Sequence, residues 1–165
     1  MVPKKLGNAI GPPQFLERAP VHNVALSDQS GEVRFYIPAN EPKNGCIVPP
    51  EFHSDTGAFI TVPCTTVDDM ARDLSRLDFI KIDAEGAEAA IIDGMGKTLG
   101  RLKPALLVEF NAARGYDAGA LLRKFEDYAG KLQFVDVDGW AKPISRERLL
   151  SDNYGQDWMV LADPR

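Results

Sequence analysis

The sequence predicts an α/β fold, a mostly parallel sheet flanked by helices with a C-terminal hairpin, and three observations predict it. From Thr61 onward, apolar strand-like runs alternate with helical patterns, the texture of a parallel sheet with helical crossovers. Two of those runs, residues 78–83 and 105–110, are separated by a segment long enough for a helical crossover, which makes them parallel neighbours in one sheet. Near the end, residues 133–137 and 140–144 flank the pair Asp138-Gly139, a hairpin signal.

The elements follow in order. Nine of the twelve prolines fall within the first 63 residues, and each fixes its own φ and removes a backbone donor. Residues 1–60 therefore read as loops and short strands, and residues 61–165 as the alternating portion of one and the same domain. Residues 22–27 and 32–37 are β-prone runs around the turn cluster Asp28-Gln29-Ser30-Gly31, which predicts a hairpin or strand pair. Residues 40–58 carry no periodicity and read as a long surface loop. Thr66 and Asp69 have the spacing of a capping box, opening a short helix to Leu74. A strand over 78–83 comes next, then a helix over 86–102 interrupted by Gly94, Gly96 and Gly100 and closed by Pro104. After the strand at 105–110, residues 118–130 form the clearest helix, with Leu121, Leu122, Phe125, Tyr128 and Ala129 on one face. The hairpin and a last strand at 158–162 complete the chain.

Composition narrows the function. Of 165 residues, 44% are apolar and 26% charged, so the chain should fold rather than remain disordered. The net charge of -5 lacks the basic footprint that neutralises phosphates, which argues against a nucleic-acid partner. No apolar run approaches the roughly 20 residues needed to span a bilayer, and the N-terminus lacks the apolar centre of a signal peptide. A cytoplasmic protein without a membrane partner is expected, with Cys46 and Cys64 as reduced thiols.

Side-chain alternation then isolates the residues that could carry chemistry. In the strand at 78–83, Phe79, Lys81 and Asp83 share one face, and in the strand at 105–110 Leu107 and Glu109 share a face with Asn111. Parallel strands are usually apolar on both faces, so Lys81 and Asp83 stand out. Asp83, Glu85, Glu109 and Asn111 all aim at the carboxyl ends of the strands, where open α/β sheets bind ligands. A bland reading exists: Lys81 and Glu109 as a partly buried ion pair, Glu85 and Glu88 complementing a helix dipole. It fits Asp83 and Glu85 poorly, because two carboxylates on one turn repel without a proton or cation to share. Lys81, Asp83, Glu85 and Glu109 are thus the candidate catalytic residues, and Asn111 a candidate substrate contact. Gly94-Met95-Gly96-Lys97-Thr98 resembles the end of a phosphate-binding loop, but Ile91 stands where its first glycine belongs. Cys46, His53 and Cys64 lack a zinc-site spacing, and neither His22 nor His53 has a recognisable nucleophile. No metal is expected from these residues.

The segment Asp78-Phe-Ile-Lys-Ile-Asp-Ala-Glu-Gly-Ala-Glu88 resembles the hallmark K-I-D-x-E-G-x-E of the FkbM family of S-adenosylmethionine-dependent methyltransferases. Three further segments agree in order and spacing: Asn23-Val-Ala-Leu-Ser-Asp28 with Gly31, Thr65-Thr-Val-Asp-Asp69, and Lys103-Pro-Ala-Leu-Leu-Val-Glu109. The resemblance spans roughly residues 20 to 111 and implies a Rossmann-like class I methyltransferase fold. It implies S-adenosylmethionine as cofactor, with Ala25 and Leu26 bordering the adenine and Asp83 the methionine end. It further implies methyl transfer to a hydroxyl of a small metabolite or sugar. Members open with a D-x-G-A-N-x-G loop, which this sequence lacks, so it looks like the C-terminal two-thirds of such an enzyme. The first strand, absent here, would lie beside residues 78–83, which predicts an exposed sheet edge that either drives self-association, is covered by residues 1–20 or the 22–37 strand pair, or goes with far weaker cofactor binding. Two other functions remain open: an inactive module that keeps the fold, and a magnesium-dependent enzyme using Asp83, Glu85 and Glu109.

Overall fold

A computed structural model describes residues 19–151 and 155–165. The chain builds two mixed sheets and, among the described residues, five α-helices. The first sheet contains β1 (Ala25–Leu26), β2 (Gly31–Pro38), β3 (Cys46–Ile47) and β4 (Gly57–Thr65) in the order β1-β4-β2-β3. The sequence-expected pairing of 22–27 with 32–37 does not form. Instead β4 lies between them, parallel to β1 and antiparallel to β2. The turn cluster at 28–30 arches over the end of β4, where Ser30 Oγ donates to Asp69 Oδ2 at 2.9 Å and Cys64 Sγ to the Gln29 carbonyl at 3.3 Å.

The expected long loop is tied to this sheet. A 3-10 turn at Pro42–Asn44 leads into β3, which pairs with the outer edge of β2. Arg34 Nη1 donates to the carbonyls of Pro50 at 2.9 Å and Phe52 at 2.7 Å, and its guanidinium lies 3.9 Å from the centroid of Phe59. Phe52, Phe59 and Tyr36 pack edge-on or tilted within 6.2 Å of one another, which gives an aperiodic segment an apolar anchor.

α1 (Val67–Met70) starts where the capping spacing places it: the Asp69 N–H donates to Thr66 Oγ1 at 3.0 Å. β5 (Phe79–Ile82) is followed by α2 (Glu88–Asp93), α3 (Gly96–Leu102) and β6 (Ala105–Phe110). β5 and β6 are parallel neighbours, with Lys81 opposite Leu107 and Ile82 opposite Val108, as the crossover length predicts. The single helix expected over 86–102 is two, broken at Gly94-Met95. A Cβ on Gly94 would lie 2.1 Å from the Ser27 carbonyl oxygen, so the break lets β1's exit pack against the helix pair. Asp68 caps α3, its carboxylate accepting from Lys97 N–H at 3.0 Å and Thr98 N–H at 2.7 Å. The rejected phosphate-loop candidate thus carries an internal carboxylate where a phosphate would sit.

α4 (Ala118–Ala129), β7 (Gln133–Val135), β8 (Ala141–Pro143), α5 (Arg146–Leu150) and β9 (Trp158–Ala162) follow. The hairpin forms as expected, whereas α5 is absent from the sequence reading. The second sheet runs β5-β6-β9-β7-β8. Its β6–β9, β9–β7 and β7–β8 pairs are all antiparallel, so the expectation of a mostly parallel sheet is corrected to a mixed one. The reason is topological: β9 inserts between β6 and β7, a choice no local pattern encodes.

One core unites β6 (Leu106, Val108, Phe110), β9 (Val160, Ala162), α2 (Ile91, Ile92) and α4 (Leu121, Leu122, Phe125). β5 contributes Ile80 and Ile82 to it, while Phe79 on the opposite face is 51% exposed. Lys81 and Asp83 share that open face, so they are solvated rather than misplaced in a two-sided core. Among the described residues β5 has β6 as its one strand neighbour, leaving an open edge. β1 is likewise an outermost strand of its sheet, and Val24, Leu26, Val67, Ile80 and Ile82 line a groove of about 260 Å³ between the two edges. No helix among the described residues is long and apolar enough to cross a membrane.

Candidate functional site

The turn from β5 into α2 is built by a buried carboxylate. Glu88, 1% exposed, accepts from the N–H of Ala84 at 2.9 Å and of Gly86 at 3.0 Å. Closing the turn this way puts Glu85 at φ 51° and Gly86 at φ 107°. The second value is glycine territory, and a left-handed non-glycine residue is typical of positions held by their surroundings. The final Glu of the motif is therefore a staple, and the bend it closes turns Asp83 and Glu85 outward.

Asp83 and Glu85 line a cavity of about 380 Å³. Its opposite wall is the first sheet: Ala25 and Leu26 from β1, Phe35 from β2, Ile47 from β3, with Lys43 at the rim. Four sequence-predicted residues, Ala25, Leu26, Asp83 and Glu85, thus meet at one cleft, although they come from separate parts of the chain. Lys81, Glu109 and Asn111 do not line it.

Their charges are arranged differently from the expectation. Lys81 Nζ pairs with Asp83 Oδ2 at 2.5 Å on the same strand face, not with Glu109, because Glu109 lies two residues beyond Lys81's register partner. Glu109 instead meets Arg114, 3.3 Å away, and Arg114 also binds Glu85 and, at 3.1 Å, Asp157. Burial works against the guanidinium's charge, but its hydrogen bonds to Glu85 and Asp157 more than compensate and raise its pKa above the usual arginine value. Glu109 is raised by burial first and then by Asp83 and Asp157, with Arg114 offsetting only part. For Asp157, burial is outweighed by hydrogen bonds from Asn111 and Arg114, and its pKa is lowered.

Asn111 is buried and fully engaged. Its Nδ2 donates to the Gly155 carbonyl at 2.7 Å and to Asp157 Oδ1 at 2.8 Å, while its Oδ1 accepts from Ala113 N–H at 2.9 Å. It ties the loop carrying Arg114 to the segment carrying Asp157 and does not line the cavity. Carboxylate oxygens of Asp83, Glu85 and Glu109 all lie within 4.8 Å of one another, close enough for a cation to bridge. Arg114 bonds two of the three and supplies that positive charge from the chain itself.

Sequence reasoning missed Arg114, Asp157, Lys43, Phe35 and Ile47. Only Arg114 left a trace: three carboxylates converging on one strand end require a cation, and Arg114 lies in the loop leaving β6. Among comparisons with known proteins, residues 3–136 match the family described as Methyltransferase FkbM domain. No curated protein and no solved structure matches the chain.

Proposed function

This chain belongs to the FkbM methyltransferase domain family, and on that premise we propose that its cavity binds S-adenosylmethionine and serves methyl transfer to a hydroxyl of a small metabolite or sugar. The observation that carries the reading is the convergence of β1, β3 and the β5–α2 turn on one cleft. Its volume of about 380 Å³ falls in the range of small-ligand sites. The donor set suits the cofactor: Ala25, Leu26, Phe35 and Ile47 offer an apolar wall for a purine, and Asp83 and Glu85 offer negative charge to a sulfonium. The parallel β5–β6 unit with its helical crossover supports a Rossmann-like reading of this half of the fold.

When bound, S-adenosylmethionine supplies an electrophilic methyl group. The chain's own contributions are positioning and proton removal. In this reading Asp83 takes the proton that an acceptor hydroxyl must lose, its carboxylate oriented by the contact with Lys81. Glu85 faces the same cleft, fixed in direction by Arg114. Glu109 acts through Arg114, as a positioning residue, and Asn111 through the loop that carries it.

Calorimetric titration with S-adenosylmethionine and S-adenosylhomocysteine tests the proposal. Wild type should bind both, and Asp83→Asn should bind S-adenosylmethionine more weakly while unfolding at an unchanged temperature, because its ion pair is solvent-exposed and worth under about 1 kcal/mol. A wild-type protein that binds neither would reduce the chain to a module that keeps the fold without the chemistry.

A further inference from the structure

The cavity's three cationic neighbours are not equivalent. Lys81 is paired with Asp83, and Arg114 with Glu85, Glu109 and Asp157. Lys43, which lines the cavity from the opposite wall, forms no ion pair with any described residue. Both carboxylates that line the cavity have their ion-pair partners in those other cations, and neither pairs with Lys43.

Its mount is fixed. Pro42 opens the 3-10 turn, and the Asn44 N–H closes it on the Glu41 carbonyl at 2.9 Å. The one acid of that turn, Glu41, accepts from Asn44 Nδ2 at 2.5 Å and so is directed to the amide rather than to the lysine. Downstream, Val48 N–H donates to the Arg34 carbonyl at 2.9 Å, and β3 pairs with β2. Between the two anchors, a Cβ on Gly45 would lie 2.6 Å from the Phe35 ring, so the backbone is pressed against the cavity wall. A backbone anchored on both sides keeps the flexible lysine stem within reach of the cleft, where its ammonium can receive an anion.

Resting on the proposed function above, we infer that Lys43 receives an anionic group, a carboxylate or a phosphate, of the molecule in the cavity. The group can come from the amino-acid end of the cofactor or from an acidic acceptor. Calorimetry with S-adenosylhomocysteine and with 5′-methylthioadenosine, which lacks the carboxylate, separates the two sources. Inorganic phosphate, read by phosphorus NMR line width with and without saturating S-adenosylhomocysteine, reports on an acceptor subsite.

If the cofactor supplies the anion, Lys43→Ala weakens S-adenosylhomocysteine by about 10- to 100-fold, the range for a hydrogen bond to a charged group, and leaves 5′-methylthioadenosine unchanged. If the acceptor supplies it, both nucleosides bind the variant normally, and phosphate broadens with wild type but not with Lys43→Ala. In either case Lys43→Arg restores most of the effect, and thermal unfolding of both variants matches wild type. Lys43→Ala that leaves nucleoside and phosphate binding alike overturns the inference. Wild type that binds neither nucleoside overturns the methyltransferase reading, and Lys43 is then judged by phosphate binding alone.

Discussion

Removing the Glu88 carboxylate should unlock the turn that carries Asp83 and Glu85. Its Oε1 accepts from Ala84 N–H at 2.9 Å and Gly86 N–H at 3.2 Å, and its Oε2 from Gly86 N–H at 3.0 Å. Glu88→Ala leaves two half-buried amide donors without this partner, each worth about 1–3 kcal/mol. Relief from no longer burying a carboxylate offsets part of this. The net destabilisation is expected near 2–4 kcal/mol. Glu88→Gln keeps one carbonyl oxygen that both donors can share, and should cost about 1 kcal/mol. Urea unfolding gives the differences as shifts in midpoint at constant slope, and amide exchange should speed up at Ala84 and Gly86 in the Ala variant. An Ala variant within 0.5 kcal/mol of wild type, a threshold typical of exposed sites, with both amides still protected, would refute the staple.

Three other outcomes are expected. Gly94→Ala forces a methyl group against the Ser27 carbonyl oxygen, 2.1 Å from the ideal Cβ position; it should cost upward of about 2 kcal/mol by thermal unfolding, and a neutral result would mean that β1's exit is not held where the structure places it. Because burial and then Asp83 and Asp157 raise the Glu109 pKa in the folded protein, its contribution to stability is full below the ordinary carboxylate range and is lost as pH rises through the folded value. Glu109→Gln should therefore gain in stability relative to wild type between acid and neutral pH, and a relative loss over that window would contradict the assigned direction. Finally, the open β5 edge should drive self-association in sedimentation that is suppressed by Ile80→Pro, which removes a backbone donor from that strand; a monomer at every concentration would show that the edge is satisfied within the chain.

Local periodicity was enough for the elements whose residues interact mainly along the chain. β6, β9, the α4 face with Leu121 and Phe125, and the Thr66 cap all sit where spacing places them. The mixed character of both sheets was not legible, because β4 entering between β1 and β2, and β9 between β6 and β7, are pairings between distant segments. The glycines at 94 and 96 marked a weak helix, but the need for a break came from the Ser27 carbonyl, far away in sequence. At the site, Asp83 and Glu85 were visible because like charges at one turn are costly. Alternation gives Lys81 and Glu109 similar faces but not the competing partners, Asp83 and Arg114, that keep them apart. Arg114 and Lys43 lie in aperiodic loops, so nothing in their spacing announces that one binds three carboxylates and the other, among the described residues, binds none.

The central claim is that the cleft between the first sheet and the β5–α2 turn is the cofactor site. Backbone amide shifts mapped by NMR during titration with S-adenosylhomocysteine test it most directly. The largest shifts are expected at Ala25, Leu26, Ile47 and the amides from Asp83 to Ala87, the segments that meet at this cavity. Saturable shifts confined instead to the surface around Phe134, Val137 and Trp158, where another cavity lies, or no shifts at all, would contradict it.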